Sequence, residues 1–493
     1  MPASARRELP LAALVIMAAV LLALRTAISL YVQPMGDEAY YWVWGQRPGL
    51  SYYDHPPLQA WLQAASSALL GPGTLALRLP AWLTLAGSFY VLYLFIRRAW
   101  GEYWQRPWLI SVILLLGSPL FLIYTTIATP DHLLVTLGLL ALYLMARFFE
   151  GADAGAPRWR YLFGAAVFIG LACLTKYIGA VLLLGLAIAI VMSPARRRLL
   201  LDWRLYAAGL VTVAMQLPVL LWNIETGFSS IRLHLVDRQR FDSGLTWVHL
   251  VSFVLQLLIF AGPFLVWPTV KVFLNREHGF AGVTQSLARA TYAGSTLGFM
   301  AIALRTFVSG HWNILGQAAL IPALVRQIGA RWQLALHWLY GAAMGALLLV
   351  NYTIYPVLGV DTLETYRAYG WEEIAAAYAE EAEKARPEFL AASHYMLASQ
   401  LNLMRKSKEV TALSQRLDQY DYWFDDAAHI GESALILDDL HSPLEPIIAE
   451  SFETVTELKR LQIFQRGMLT GTFRIYLATG YRGAPAEGSL YRR

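Results

Sequence analysis

Runs of about 20 mainly apolar residues, the length a helix needs to cross a bilayer, recur between Leu9 and Val350 with only short polar breaks between them. In lipid every backbone N–H and C=O has to be bonded within the protein, so a chain patterned this way folds as a bundle of helices. Composition agrees: 57% of the 493 residues are hydrophobic and only 15% are charged, with a mean hydropathy of +0.45. That balance lies outside the range of soluble globular domains. The expectation is an integral, polytopic membrane protein.

A net charge of +5 is also what a nucleic-acid binder shows, but here the basic residues sit in short loops between apolar runs. That pattern reports topology, and no nucleic-acid partner is expected. Arg6 and Arg7 place the N-terminus in the cytoplasm. The run that follows reaches Tyr31 without a small-residue cleavage site, so it reads as a first spanning helix and not as a signal peptide. Later spans are expected from Leu77 to Ile96, Trp108 to Tyr124, His132 to Phe148, Tyr161 to Leu174, Ile178 to Met192, Leu205 to Trp222, Trp247 to Val270, Ala290 to Thr306, Ile314 to Val325 and Leu334 to Tyr352. Basic residues such as Arg97, Arg98, Arg196, Arg197 and Arg198 mark the cytoplasmic turns. The total of about eleven spans sends the C-terminus outside. The single cysteine, Cys173, rules out an intramolecular disulfide and a cysteine metal cluster.

From Thr353 onward charges become frequent. Trp371 to Lys384 reads as an amphipathic helix, while Ser433 to Leu437 and Thr472 to Leu477 have the length of strands. The expected division is therefore a membrane domain over 1–352, with a first outer loop at 33–76, and a small extracytoplasmic α/β domain over 353–493.

With sides assigned, the unusual polar residues gather at the outer face: Asp37, Glu38, Asp54, His55, Arg78, Asp131, His132, Lys176, Glu225 and Arg305. Ionisable residues at membrane depth are costly and commonly functional. Charges gathered at one interface argue against a secondary transporter, whose charges cluster at the midplane of discontinuous helices. The densest stretch is Gly-Asp-Glu-Ala-Tyr-Tyr-Trp-Val-Trp at Gly36 to Trp44, followed by Tyr-Tyr-Asp-His-Pro-Pro at Tyr52 to Pro57. Its aromatics suit a helix lying in the headgroup layer. Taken alone, Asp37 and Glu38 are equally explained as caps of that helix.

This stretch resembles the first loop of bacterial protein-mannosyltransferase-like and aminoarabinose-transferase-like glycosyltransferases (families 39 and 83). The resemblance rests on Asp37-Glu38 with the following Tyr-Tyr-Trp, Tyr53-Asp54-His55-Pro56-Pro57, Arg78-Leu79-Pro80, Thr129-Pro130-Asp131 and Leu174-Thr175-Lys176, in this order and spacing. In the C-terminal part it is weaker, carried by His394-Tyr395, Ala398-Ser399-Gln400 and Gln419-Tyr420-Asp421-Tyr422-Trp423. It implies an all-α polytopic domain of the C-type glycosyltransferase fold that takes a polyprenyl-phosphate-linked sugar outside the cytoplasm. A glycolipid or glycan would be the acceptor, such as lipid A or lipopolysaccharide core, with protein hydroxyls as the alternative. Two departures bear on substrate. The aminoarabinose transferases typically carry lysine where this chain has His55, and the inserted luminal domain of eukaryotic protein mannosyltransferases is missing.

The resemblance casts Asp37 as the base that takes the acceptor's proton, with Glu38, Asp54 and Asp131 as further catalytic acids. The leaving lipid phosphate calls for fixed cations, and His55, Arg78, Lys176 and Arg305 are those available at the outer face. Each has a plainer reading: a histidine before a Pro-Pro turn, an interfacial arginine, a lysine at a helix–helix turn, and for Asp131 and His132 a helix cap. Asp54, Asp131, His55 and His311 are residue types that a divalent metal takes. They lack compact ligand spacing, so no metal or other cofactor is assigned.

Overall fold

The computed structural model describes residues 9–236, 245 and 247–483. Two compact units separate. One is made of the chain up to Ser29, His55–Leu58 and Pro80–Ala346; the other of Leu30–Asp54, Gln59–Leu79 and the chain from Leu347 on.

In chain order the helices are α1 (Leu11–Tyr31), α2 (Gly36–Gln46), α3 (Leu58–Leu70), α4 (Thr74–Trp100), α5 (Gln105–Leu116), α6 (Pro119–Tyr124), α7 (Asp131–Asp153), α8 (Trp159–Thr175), α9 (Val181–Val191), α10 (Trp203–Ala214), α11 (Leu217–Glu225), α12 (Ser229–Leu235), α13 (Trp247–Ala261), α14 (Val266–Leu274), α15 (Gly279–Ala303), α16 (Ile314–Leu324), α17 (Arg331–Thr353), α18 (Leu363–Tyr366), α19 (Trp371–Ala385), α20 (Tyr395–Arg405) and α21 (Pro446–Ala449). The strands are β1 (Phe389–Ala392), β2 (Val410–Ala412), β3 (Ala434–Asp439), β4 (Thr454–Gln465) and β5 (Met468–Thr479).

Each expected apolar run is helical, but several are interrupted. The run from Trp108 to Tyr124 is split into α5 and α6 at Pro119, which has no N–H to continue the ladder; Ser118 before it is extended, with ψ 120°. Pro218 in the first turn of α11 marks the 47° bend between α10 and α11. The run from Trp247 to Val270 turns through 89° between α13 and the segment beginning at Pro263. Gly262 makes that corner with φ +93°, where a Cβ would stand 2.9 Å from His337 Nδ1; both conditions demand glycine. Among the described residues four helices, α1, α4 with its short extension, α7 and α17, are each long and apolar enough to cross a membrane, and up to 6 spans result if each bent pair counts as one.

The first unit packs around α7 and α16. All of α16 is buried, which is the setting that a helix apolar on every face requires.

In the second unit, among the described residues, the five strands form one sheet in the order β2-β1-β3-β5-β4. β1 pairs parallel with β2 and β3, whereas β5 pairs antiparallel with β3 and β4. Central β3, Ala-Leu-Ile-Leu-Asp-Asp, is buried throughout, as a strand covered on both faces must be. Its two acids are neutralised in ion pairs, Asp439 with Arg367 at 2.6 Å and Asp438 with Arg474 at 2.7 Å. The expected amphipathic helix and the two expected strands are α19, β3 and β5.

Candidate active site

The first loop forms α2 and packs within the second unit. Its aromatics were expected to face the headgroup layer, and the structure corrects this: Trp42, Trp44, Tyr52 and Tyr53 are each 2% exposed or less. Trp44 stacks on Tyr52 with centroids 4.3 Å apart. Helix α20 lies so close that a Cβ on Gly36 would stand 2.7 Å from Met396 Cβ. Rings packed against protein give the loop a fixed shape that rings in a fluid headgroup layer would not.

Adjacent Asp37 and Glu38 have different surroundings. Glu38 is fully buried. It accepts from the Met35 N–H at 3.0 Å, closing the first turn of α2. It also takes two bonds from Arg78, Nε at 2.9 Å and a terminal nitrogen at 2.7 Å. The same guanidinium donates to Val32 O at 2.8 Å. Asp37 stays half-buried, and its Oδ1 accepts from the Tyr395 hydroxyl at 3.2 Å.

Asp54 is buried. One of its oxygens accepts from Tyr40 Oη at 2.9 Å, the other from Arg416 at 3.3 Å. Arg416 lies over the Tyr395 ring, 4.6 Å from its centroid. Two further bonds tie loop to C-terminal segment: Tyr53 N–H donates to Gln419 Oε1 at 2.7 Å, and Gln419 N–H to Tyr40 Oη at 2.7 Å. Gln400 adds a bond to Pro34 O. The three short C-terminal stretches that carried the weaker resemblance thus all supply contacts to the first loop.

Electrostatics follow from this packing. Burial, then the Asp37 charge, pushes the Tyr395 phenol above its usual range, so it remains a donor. Burial works to lower Arg416, but Tyr395 and Asp54 outweigh it and hold the guanidinium above its ordinary value. Burial, then Arg367 and Arg416, lowers His394 to about 3. Its ring is therefore neutral near pH 7, and its Nδ1 caps α20 by accepting from Met396 N at 3.3 Å.

In the first unit Asp131, at the start of α7, is buried and takes two bonds from Lys176 Nζ, both at 3.0 Å. Lys176 sits in extended backbone just after α8. His132 Nδ1 is 3.0 Å from Thr84 Oγ1. The half-buried His55 ring lies 6.3 Å from His234. Arg305 is exposed just beyond α15. His311 stacks on Tyr124 with centroids 4.5 Å apart. Among the described residues no three His, Cys, Asp or Glu side chains gather as metal ligands.

Sequence reasoning missed Arg25. It is fully buried in α1, donates to Ala81 O at 3.2 Å and to Thr125 O, and lies 4.2 Å over the Trp82 ring. A lone arginine in an apolar run, at a cost of about 2.5–3.5 kcal/mol at mid-helix, was the available signal. It also missed Arg416, for which the sequence offered none.

Comparison with known proteins bears on these elements. The family model described as dolichyl-phosphate-mannose-protein mannosyltransferase matches residues 54–222. A curated relative, the lipid A galacturonosyltransferase RgtD of Rhizobium johnstonii, is 30% identical over 203 residues, which is 40% of this chain and 40% of that protein. Over nearly the whole chain the structure superposes on ArnT from Cupriavidus metallidurans in the apo state, with a TM-score of 0.63 at 13% identity, covering 96% of this chain and 98% of that one. The chain has the C-type membrane glycosyltransferase fold. The same ArnT bound to undecaprenyl phosphate gives a TM-score of 0.60 at 14% identity, over 96% of this chain and 99% of that one. The resemblance read from the motifs is upheld, and a protein of this C-type fold with these apolar helices is an integral membrane protein.

Proposed function

We propose that this protein transfers a sugar from a polyprenyl-phosphate carrier to a hydroxyl of a glycolipid or glycan, with lipid A or lipopolysaccharide core as the acceptor class. The observation that carries this reading is the division of labour between Asp37 and Glu38. One acid is neutralised and buried by Arg78, while its neighbour keeps partial exposure and is held by a phenol. Support comes from the family model, from the relative named as a lipid A galacturonosyltransferase, and from the ArnT complex with undecaprenyl phosphate. We further propose an inner-membrane location, with the N-terminus cytoplasmic and segment 353–493 outside, as the arginine pattern implies.

In the transfer, the acceptor oxygen forms a bond to the anomeric carbon as the bond from that carbon to the phosphate oxygen breaks. The acceptor's proton passes to Asp37, and the lipid phosphate leaves with the bonding electrons. Cations that meet the developing phosphate charge stabilise the transition state more than the ground state, and this is the part given to His55, Lys176 and Arg305; Arg78, expected among them, is instead buried in its pair with Glu38. Asp131 orients Lys176 through its two bonds. Asp54 fixes Arg416 and Tyr40, and the Glu38–Arg78 pair fixes the loop that carries Asp37.

The test compares two isosteric changes in purified full-length protein given lipid-linked donor, with product read by mass spectrometry. Asp37→Asn should lose about 10² to 10⁴ in rate while its melting temperature holds. Glu38→Gln should instead lower stability by about 3–5 kcal/mol, because it leaves Arg78 buried without its counter-charge. Near-normal transfer by Asp37→Asn to a hydroxyl acceptor would refute the assignment.

A further inference from the structure

The first unit carries a groove of about 540 Å³ that the proposed chemistry does not use. The 89° corner at Gly262 sets α14 across the end of α13, so where α13 crosses the membrane α14 runs along its plane. Trp267 and Lys271, one turn apart on α14, line the groove together with Phe264; Trp332 and Gln333, in the first turn of α17, line it as well. The volume falls within the usual range of small-ligand sites.

Two polar groups in this groove lack partners. Gln333 is 5% exposed. Its Oε1 accepts from the N–H groups of Gly329 and Ala330, at 3.0 and 3.3 Å, which fixes the orientation of the amide. Its Nε2 then donates to no described residue, yet it is not sealed off from solvent as the unmatched atoms of the core are, so it opens on the groove that the side chain lines. Lys271 is half-buried, with its ammonium 5.9 Å from the centroid of the Trp267 ring, and no acid lines the groove with it. A free donor and a cation without a counter-charge, in one groove, call for an anion with acceptor oxygens.

The rim says which anion. Val266, Trp267 and Trp332 are 45%, 55% and 57% exposed, and indole rings favour the depth of the membrane–water interface. A soluble anion would leave this rim bare. A phospholipid meets both demands, with phosphate oxygens for Lys271 and Gln333 and acyl chains for the rim. Charge narrows the class further. Lys271, Arg276, Arg326 and Arg331 lie on α14 and on the turns that follow α14 and α16, and the acid among them, Glu277, is held by Arg326 at 3.7 Å. That surplus repels the ammonium of a zwitterionic headgroup and attracts a net negative one. With the topology proposed above, these turns lie at the cytoplasmic leaflet, whose surface is negative.

We propose that this groove binds the headgroup of an anionic phospholipid, with the phosphate held by Lys271 and Gln333.

The detergent-solubilised full-length protein, offered phosphatidylglycerol and phosphatidylcholine of the same acyl chains in competition and read by native mass spectrometry, checks this. Phosphatidylglycerol should be retained about tenfold more tightly than phosphatidylcholine. Lys271→Gln should lose about tenfold of that affinity while the lipid-free protein keeps its melting temperature, and Lys271→Arg should keep most of it. Arg97→Gln, which removes a cation from another basic turn, should bind as the wild type does, and inorganic phosphate should not displace the lipid. Equal retention of the two lipids, a Lys271→Gln variant that binds like the wild type, an equal loss in Arg97→Gln, or displacement by inorganic phosphate would each overturn the inference. Binding is read without donor or transfer, so the outcome is separate from that of the proposed function.

Discussion

Tyr395→Phe removes one oxygen atom from the site, the phenol oxygen that bonds Asp37 and Arg416. The phenol donates to the Asp37 carboxylate at 3.2 Å, so it stabilises the charged form of that acid, and its own raised pKa keeps it protonated at any working pH. A hydrogen bond to a charged group contributes about 1.5–3 kcal/mol, and 1.36 kcal/mol corresponds to one pKa unit. Without the bond, the acid limb of kcat/KM should therefore move up by about one to two pH units. On the plateau above that limb, loss of orientation should remain as a drop of about tenfold, or ~1.4 kcal/mol. Phenylalanine keeps the ring, and with it the packing on Tyr40 at 4.6 Å and under Arg416 at 4.6 Å, so the melting temperature should hold. The assay is transfer from lipid-linked donor across pH 4 to 9, paired with thermal unfolding. A variant whose pH profile coincides with the wild type would refute the reasoning, and a uniform loss with a lowered melting temperature would make Tyr395 a packing residue only.

Two further expectations follow from the structure. His394 is lowered to about 3 in the fold against about 6.5 when unfolded; the unfolded chain binds the extra proton between these values, so stability is full above pH 6.5 and falls by at most about 1.4 kcal/mol per unit towards pH 3. Denaturant titrations should show that slope shrink in His394→Asn, which keeps a capping oxygen without titrating, and an unchanged slope would remove His394 from the account. An alkaline phosphatase fused after Tyr352 should be active and a fluorescent protein at the same point dark; the opposite pair of results would invert the proposed topology.

How much of this was legible in the sequence depends on the range of the interaction involved. Apolar runs are a local property, so every stretch expected to be helical is helical, and the breaks at Pro119, Pro218 and Gly262-Pro263 come from residues whose backbone limits are equally local. Strand β3 could be read from its unbroken apolar run. Strand β4 could not: Glu457, Lys459 and Arg460 give it the composition of a loop. Charges there are what an edge strand uses to deter further pairing, and only the ladder to β5 reveals it.

The site divides in the same way. Residue types and spacing picked out Asp37, Glu38, Asp54 and Arg78, and the resemblance cast Asp37 as the base, but neither could say what holds each acid. Successive residues on a helix point about 100° apart, so Asp37 and Glu38 were bound to meet different neighbours. Those neighbours lie 40 positions away for Glu38, at Arg78, and 358 away for Asp37, at Tyr395. Nothing in the local pattern of Gly36 to Trp44 encodes that choice. It is made where α20 meets α2, with Gly36 admitting Met396 and so bringing Tyr395 within reach of Asp37. The segment beyond Thr353 is therefore more than an appended domain: its tyrosine sets the orientation of the acid on which the proposed chemistry depends.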